Sequence, residues 1–187
     1  MKKNAFFLTI ITGTLLFITG CGASQQSSTT RQNSSEDQPP PKAMEYYNYY
    51  MSQAGIAQSE EKIDEALDNY IQAADALNEM GRPCLKKADA HYEAAQMAYQ
   101  LVKKDLAIKQ YEAAVNIYIH FTGNSLTKAA VCYTNLGVVY KELHNNAKAR
   151  TAWQQARTLY NSLPKSDQNA GNIEKINQNI RDLDEGF

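Results

Sequence analysis

Nucleophiles, general bases and metal ligands come first, because their types and spacing limit what chemistry a chain can perform. Three histidines, His91, His120 and His144, lie far apart, and none has a Cys or Asp at metal-ligand spacing. There is no HExxH pair, no GxSxG elbow and no glycine-rich phosphate loop. Three cysteines remain. Cys84 and Cys132 sit inside helix-like stretches, and aligning the repeats described below puts Cys132 at the equivalent of position 90. Six helical residues span roughly 9 Å, longer than a disulfide allows, so two buried thiols are expected. His91 is expected to pack rather than ligate. The third cysteine, Cys21, stands where an apolar run stops and "GASQQSS" begins. No nucleophile, base or metal set assembles, so the residues predict neither an enzyme nor a metal or other cofactor.

The elements around Cys21 explain its place. Lys2 and Lys3 precede "AFFLTIITGTLLFI", residues 5 to 18, which is 14 residues long. A spanning helix needs about 20 apolar residues, whereas a basic start, a short apolar middle and small residues at the end describe an export signal. On composition alone an ordinary signal peptide or a core cysteine remains open. "Ile18-Thr19-Gly20-Cys21" resembles the bacterial lipobox. That resemblance implies cleavage before Cys21, acylation of its thiol and its new amino group, and thus a lipoprotein held firmly by more than one chain. Gly22, in place of Asp, implies an outer-membrane address facing the periplasm in a Gram-negative source. A Gram-positive source would place the anchor on the extracellular face of the plasma membrane. Residues 1–20 are then signal peptide and 21–42 a lipidated linker. The linker carries no large apolar side chain and cannot offset chain entropy by burial. Its reach is roughly 25 Å.

From Ala43 onward the composition turns to Ala, Tyr, Leu, Ile, Lys, Glu and Gln, punctuated by "MGRP", "TGNS", "HNN" and "LPKSDQ". These stops predict an all-α body with helices near 43–58, 60–80, 83–102, 104–121, 126–143, 146–162 and 169–184. Ser59 and Ser125 stand where N-caps are expected. Three small-aromatic-small triples recur: Ala66, Tyr70, Ala73; Ala107, Tyr111, Ala114; Ala149, Trp153, Ala156. They lie 41 and 42 residues apart, and each shares one helix face at i, i+4, i+7. Ala88, Tyr92 and Ala95 repeat the pattern off period, so an Ala-rich bundle stays open on pattern alone.

The triples resemble the second helix of the tetratricopeptide repeat. From Ala130, residues Tyr133, Leu136, Gly137 and Tyr140 match its first helix. Weaker first helices carry Tyr50, Ala54 and Ala57, then His91, Ala94, Ala95 and Ala98. The period exceeds the usual 34 by about one turn per helix, as in SNAP-like members of that superfamily. The resemblance implies a helix-turn-helix solenoid of about three long repeats over 43–164. Residues 165–187 close it with a helix whose Ile173, Ile176, Ile180 and Leu183 form one apolar stripe.

Removal of the signal leaves about −3 net charge, so no nucleic-acid partner is expected. In tetratricopeptide proteins the first helices line a concave groove, and mapping those positions yields Asn48, Met51, Tyr92, Gln96, Tyr99, Thr134, Val138 and Lys141. The lining lacks the Lys and Asn set of the carboxylate clamp. The resemblance therefore implies a membrane-anchored, non-enzymatic adaptor or assembly factor of the cell envelope, similar to pilotins or to adaptors of cell-wall enzymes, taking peptide segments of envelope proteins. A ligand-handling accessory subunit with a pocket inside the solenoid is the alternative. The "YYNYY" run at 46–50 either joins the partner surface or divides between core and solvent.

Overall fold

The computed structural model describes residues 41–185, and all of these belong to one compact unit, Glu36–Phe187. The predicted signal peptide, Cys21 and nearly all of the predicted linker lie outside the described residues.

Among the described residues seven α-helices follow one another: α1 Pro41–Ser59, α2 Ile63–Ala76, α3 Leu85–Gln100, α4 Lys104–Tyr118, α5 Asn124–Glu142, α6 Asn146–Ser162 and α7 Asp167–Asp184. A single 3-10 turn, Asn78–Met80, follows α2, and no strand occurs among the described residues. Each helix packs on the next, and α3 also touches α5. The result is a helix-pair solenoid in which α1–α2, α3–α4 and α5–α6 are successive hairpins and α7 covers the last.

All six alanines of the three triples are fully buried, and Tyr70, Tyr111 and Trp153 are 6%, 2% and 1% exposed. Small residues at i and i+7 let the partner helix approach, and the ring between them fills the space. At Gly137 of α5 the two helices leave no room for a side chain. A Cβ there would stand 2.2 Å from Nε1 of Trp153, and the same Nε1–H donates to the Thr134 carbonyl at 3.1 Å. α7 buries Ile176 and Leu183, with Ile173 and Ile180 packed beside them against Trp153 and Tyr160.

The hairpin turns repeat as regularly as the triples. Glu61, Val102 and His144 adopt left-handed φ of 61°, 59° and 57°. Around each, the amide one residue later bonds the carbonyl five back, Lys62 to Ala57, Lys103 to Ala98 and Asn145 to Tyr140, all at 2.9 Å. The left-handed residue itself bonds three back. This double closure is the Schellman motif, built here without glycine. Gly81 and Gly123, also at positive φ, serve the loops between hairpins.

The turns correct two cap assignments. Ser59 ends α1, where its Oγ donates to the Ile56 carbonyl at 2.7 Å, because the turn at Glu61 delays the start of α2 to Ile63. Ser125 lies within α5, which begins after Gly123. Side-chain caps occur instead at Asn145, accepting from the Lys148 amide at 3.2 Å, and Ser166, accepting from the Asn169 amide at 3.1 Å. The predicted second helix also ends early, at Ala76 rather than 80. Cys132 is buried, but Cys84 is only half-buried at the start of α3, and both are free. Of the tyrosine run, Tyr47 is buried and Tyr50 half-buried, while Tyr46 and Tyr49 are exposed.

Candidate functional site: a groove between first helices

Helices α3 and α5, the first members of adjacent hairpins, face each other through polar rungs. At one end Asp89 accepts from Tyr118 Oη at 2.5 Å and from Lys128 Nζ at 2.6 Å, and that ammonium also lies 5.7 Å from the centre of the Tyr118 ring. At the other end Glu142 accepts from Tyr99 Oη at 2.5 Å and pairs with Lys104 at 3.0 Å. Exposed pairs such as these contribute little energy individually, but they fix the spacing of the two helices at both ends.

Between the rungs lies a hollow of about 240 Å³ that opens to solvent, lined by Gln96, Tyr99, Gln100, Tyr111, Asn135, Val138 and Val139. Every lining side chain is uncharged. Asn135 Nδ2 donates to Tyr111 Oη at 3.2 Å, and Gln96 Nε2 donates to Glu93 Oε2 at 3.0 Å, which leaves the carbonyl oxygens of both amides as acceptors. Burial raises the pKa of the Glu93 carboxyl; nearby Asp89 adds to this and Lys128 partly offsets it. Glu142 moves the other way, lowered by the bonds from Tyr99 and Lys104. Burial raises the Tyr111 phenol, so it enters the hollow as a neutral hydroxyl. Chemically, the site offers amide and phenol hydrogen-bonding groups over a valine floor.

Of the eight residues mapped from the sequence, Gln96, Tyr99 and Val138 line this hollow together. Tyr92 is half-buried beside Tyr111, with ring centres 6.1 Å apart. Thr134 serves packing instead, its Oγ1 donating to the Ala130 carbonyl at 2.9 Å while its own carbonyl receives Trp153. Lys141 is half-buried and outside the lining, Asn48 is exposed on α1, and Met51 packs toward the core. Mapping first helices alone missed Tyr111, whose ring reaches up from α4, and the mapped positions also passed over Gln100 of α3 and Asn135 and Val139 of α5. Asn135, Val139 and Glu142, at i, i+4 and i+7, form the α5 stripe that marks this face.

A second groove runs on the outer side between α4 and α6. It is floored by Tyr133, Leu136 and Tyr140 of α5 and encloses about 350 Å³. Tyr140 Oη donates to Glu112 at 2.9 Å and Lys148 lies 5.3 Å from the ring centre; burial and that bond push the phenol up to about 12. His91 is packed: its Nδ1–H donates to Gln110 Oε1 at 2.6 Å across α3 and α4. No group of three His, Cys, Asp or Glu side chains is placed to hold a metal among the described residues. No helix among them is long and apolar enough to cross a membrane.

Comparison with known proteins agrees with this architecture. The sequence model of the soluble NSF attachment protein family, SNAP, matches residues 23–183. Among solved structures, BtubC (BKLC) from P. vanneervenii is similar in fold, with a TM-score of 0.59 at 18% identity, over 81% of this chain and 69% of that one. The MamA protein matches at 18% identity over 74% of this chain and 90% of that one, with a TM-score of 0.33, too loose a likeness to carry weight. No curated protein matches the sequence.

Proposed function

The chain belongs to the soluble NSF attachment protein family, whose members are tetratricopeptide-like helical repeat proteins, and on that premise we propose that it is a lipid-anchored adaptor of the bacterial cell envelope. Its partner is a peptide segment of an envelope protein, held in the α3–α5 groove without catalysis. The observation that carries this reading is the uncharged hollow held open between the Asp89–Lys128 and Tyr99–Glu142 rungs. Free amide acceptors beside a valine floor suit a peptide backbone with an apolar or hydroxyl side chain. A hollow open to solvent favours a docking groove over an enclosed ligand pocket. Non-catalytic adaptors are general in this family.

The anchor rests on the lipobox-like "Ile18-Thr19-Gly20-Cys21". Lipid at Cys21 would place the protein on the outer membrane facing the periplasm, or on the outer face of the plasma membrane in a Gram-positive cell. Tethering raises the local concentration of a weak module, which suits an assembly factor of the pilotin or cell-wall-enzyme type. Two measurements test the proposal. A photo-crosslinking residue at Gln96 or Val138 should trap one discrete envelope protein, whereas the same residue at Gln154, outside this groove, should not; equal trapping at both overturns the groove. Intact-mass analysis should show acyl chains on a chain that begins at Cys21 and none after Cys21→Ser; an unmodified wild-type chain overturns the anchor.

A further inference from the structure

The two ends of the α3–α5 groove differ in charge balance. At one end Glu142 is matched by Lys104 at 3.0 Å. At the other, Asp89 and Glu93 stand one turn apart on α3 and share a single ammonium, that of Lys128. Lys128 gives its ion pair to Asp89, at 2.6 Å. Glu93 is half-buried, one turn of α3 before Gln96 of the hollow. Among the described residues it accepts one hydrogen bond, from Gln96 Nε2 to Oε2 at 3.0 Å, and forms no ion pair of its own. Two phenols within reach of its charge point their protons elsewhere: Tyr118 of α4 donates to Asp89, and Tyr70 of α2 donates to Gln58 at 2.9 Å. Oε1 of Glu93 is left as an open acceptor beside the uncharged hollow. Burial raises this carboxyl, Asp89 adds to the shift and Lys128 offsets only part of it. A second cation brought alongside would relieve an anion held in that way.

We infer that Glu93 sets the specificity of the groove by taking the ammonium or guanidinium of a basic residue two positions from the residue seated in the hollow. The inference rests on the peptide-groove reading above and adds the chemistry of the peptide. The spacing follows from the two backbones. The α3 residues of the hollow, Gln96, Tyr99 and Gln100, are centred about five residues beyond Glu93, or about 8 Å along the axis. An extended peptide advances about 3.3 Å per residue, and side chains two apart share a face. A residue two positions along is thus about 7 Å away, and the long arm of lysine or arginine covers the rest. An acidic residue at that place would meet two carboxylates against one ammonium and be rejected. The selected partner therefore carries an apolar residue and a basic one at alternate positions of an extended segment.

The test titrates isotope-labelled full chain with blocked serine heptapeptides that carry a central valine and a lysine two places before it or two places after it. Matching peptides carry glutamine or glutamate in place of lysine. Side-chain amide signals of Gln96 and Asn135 report occupation of the hollow. In one of the two orders the lysine peptide should bind at least about fivefold tighter than its glutamine counterpart, with the glutamate peptide weakest. Glu93→Gln should abolish that preference while changing glutamine-peptide affinity by less than about twofold, and Glu93→Lys should reverse it. Glu65→Gln, which removes the same charge from the exposed face of α2, should leave it intact. Circular dichroism checks each fold, and Glu93→Asp, which draws the carboxylate back by one methylene, replaces a variant that unfolds and should weaken the preference. Lysine and glutamine peptides that move the amide signals with equal affinity overturn the selectivity and leave the groove standing. A preference that survives Glu93→Gln, or that Glu65→Gln removes equally, also overturns it. Peptides that leave the Gln96 and Asn135 signals unmoved overturn the groove and the inference with it.

Discussion

Single residues set the limits of this fold. Val102 is a β-branched side chain held at φ 59° and 71% exposed, a conformation that costs an L-residue about 1–2 kcal/mol. Val102→Gly should therefore raise stability in urea unfolding by about 0.5–1 kcal/mol, once the glycine's greater unfolded-state freedom is deducted. Gly137 is the reverse case. Any side chain there must displace the Trp153 ring, so Gly137→Ala should cost about 2 kcal/mol and lower the melting temperature by about 2–4 °C per kcal/mol. His91 gives the molecule a pH response. Burial lowers its folded pKa, with Lys87 and Lys109 adding to the shift and the Gln110 bond opposing it. The unfolded chain then binds the proton more readily, so stability should fall as pH drops below about 6.5, the ordinary histidine value. His91→Gln should flatten that slope between pH 7 and 5 in the same denaturation assay.

At the scale of elements, periodicity read well and termini did not. All seven described helices were legible, with Gly and Pro marking the joints near 81, 123 and 164 because they act locally, and the repeat of the triples dividing each hairpin where neither residue occurs. The triples located the hairpin partners, because close helix packing demands small residues at fixed spacing. Ser59 and Ser125 misled because capping depends on where the backbone turns: the Schellman turn around Glu61 carries no glycine to announce it, and at the other joint the helix starts directly after Gly123, one residue before Ser125. The groove was legible only in part: first-helix positions identified Gln96, Tyr99 and Val138, but Tyr111 enters from α4, and only the packing of three helices reveals it. The helix α7 also has a measurable duty. A chain ending at Pro164 would expose the surface around Trp153 and Tyr160 that Ile176 and Leu183 cover. Its tryptophan emission should shift to longer wavelength, and its unfolding midpoint should fall relative to the full chain.

For the whole molecule, stability and recognition are distributed along a line. Ion pairs and phenol bonds join each hairpin to the next: Asp64 to Lys103 at 2.6 Å, Asp89 to Lys128, Tyr99 to Glu142, and Arg150 to Asp184 at the capping end. In a solenoid each unit contacts only its neighbours, so damage in one hairpin spreads no further than the next. Raising salt should loosen these exposed links while leaving the alanine-packed hairpins intact. Amide exchange should then quicken first at α3–α5 and α6–α7, and uniform quickening along the chain would contradict a modular stack.

The two glycine loops have a consequence for how such a chain can grow. Gly81 and Gly123 stand at matching joints, with 42 residues from Arg82 to Gly123. That span holds one whole hairpin with its own left-handed turn. Duplicating it in frame would add a storey to the molecule instead of breaking it, and would extend the row of first helices by one further member. The gene for this protein is, in that sense, already written in interchangeable paragraphs.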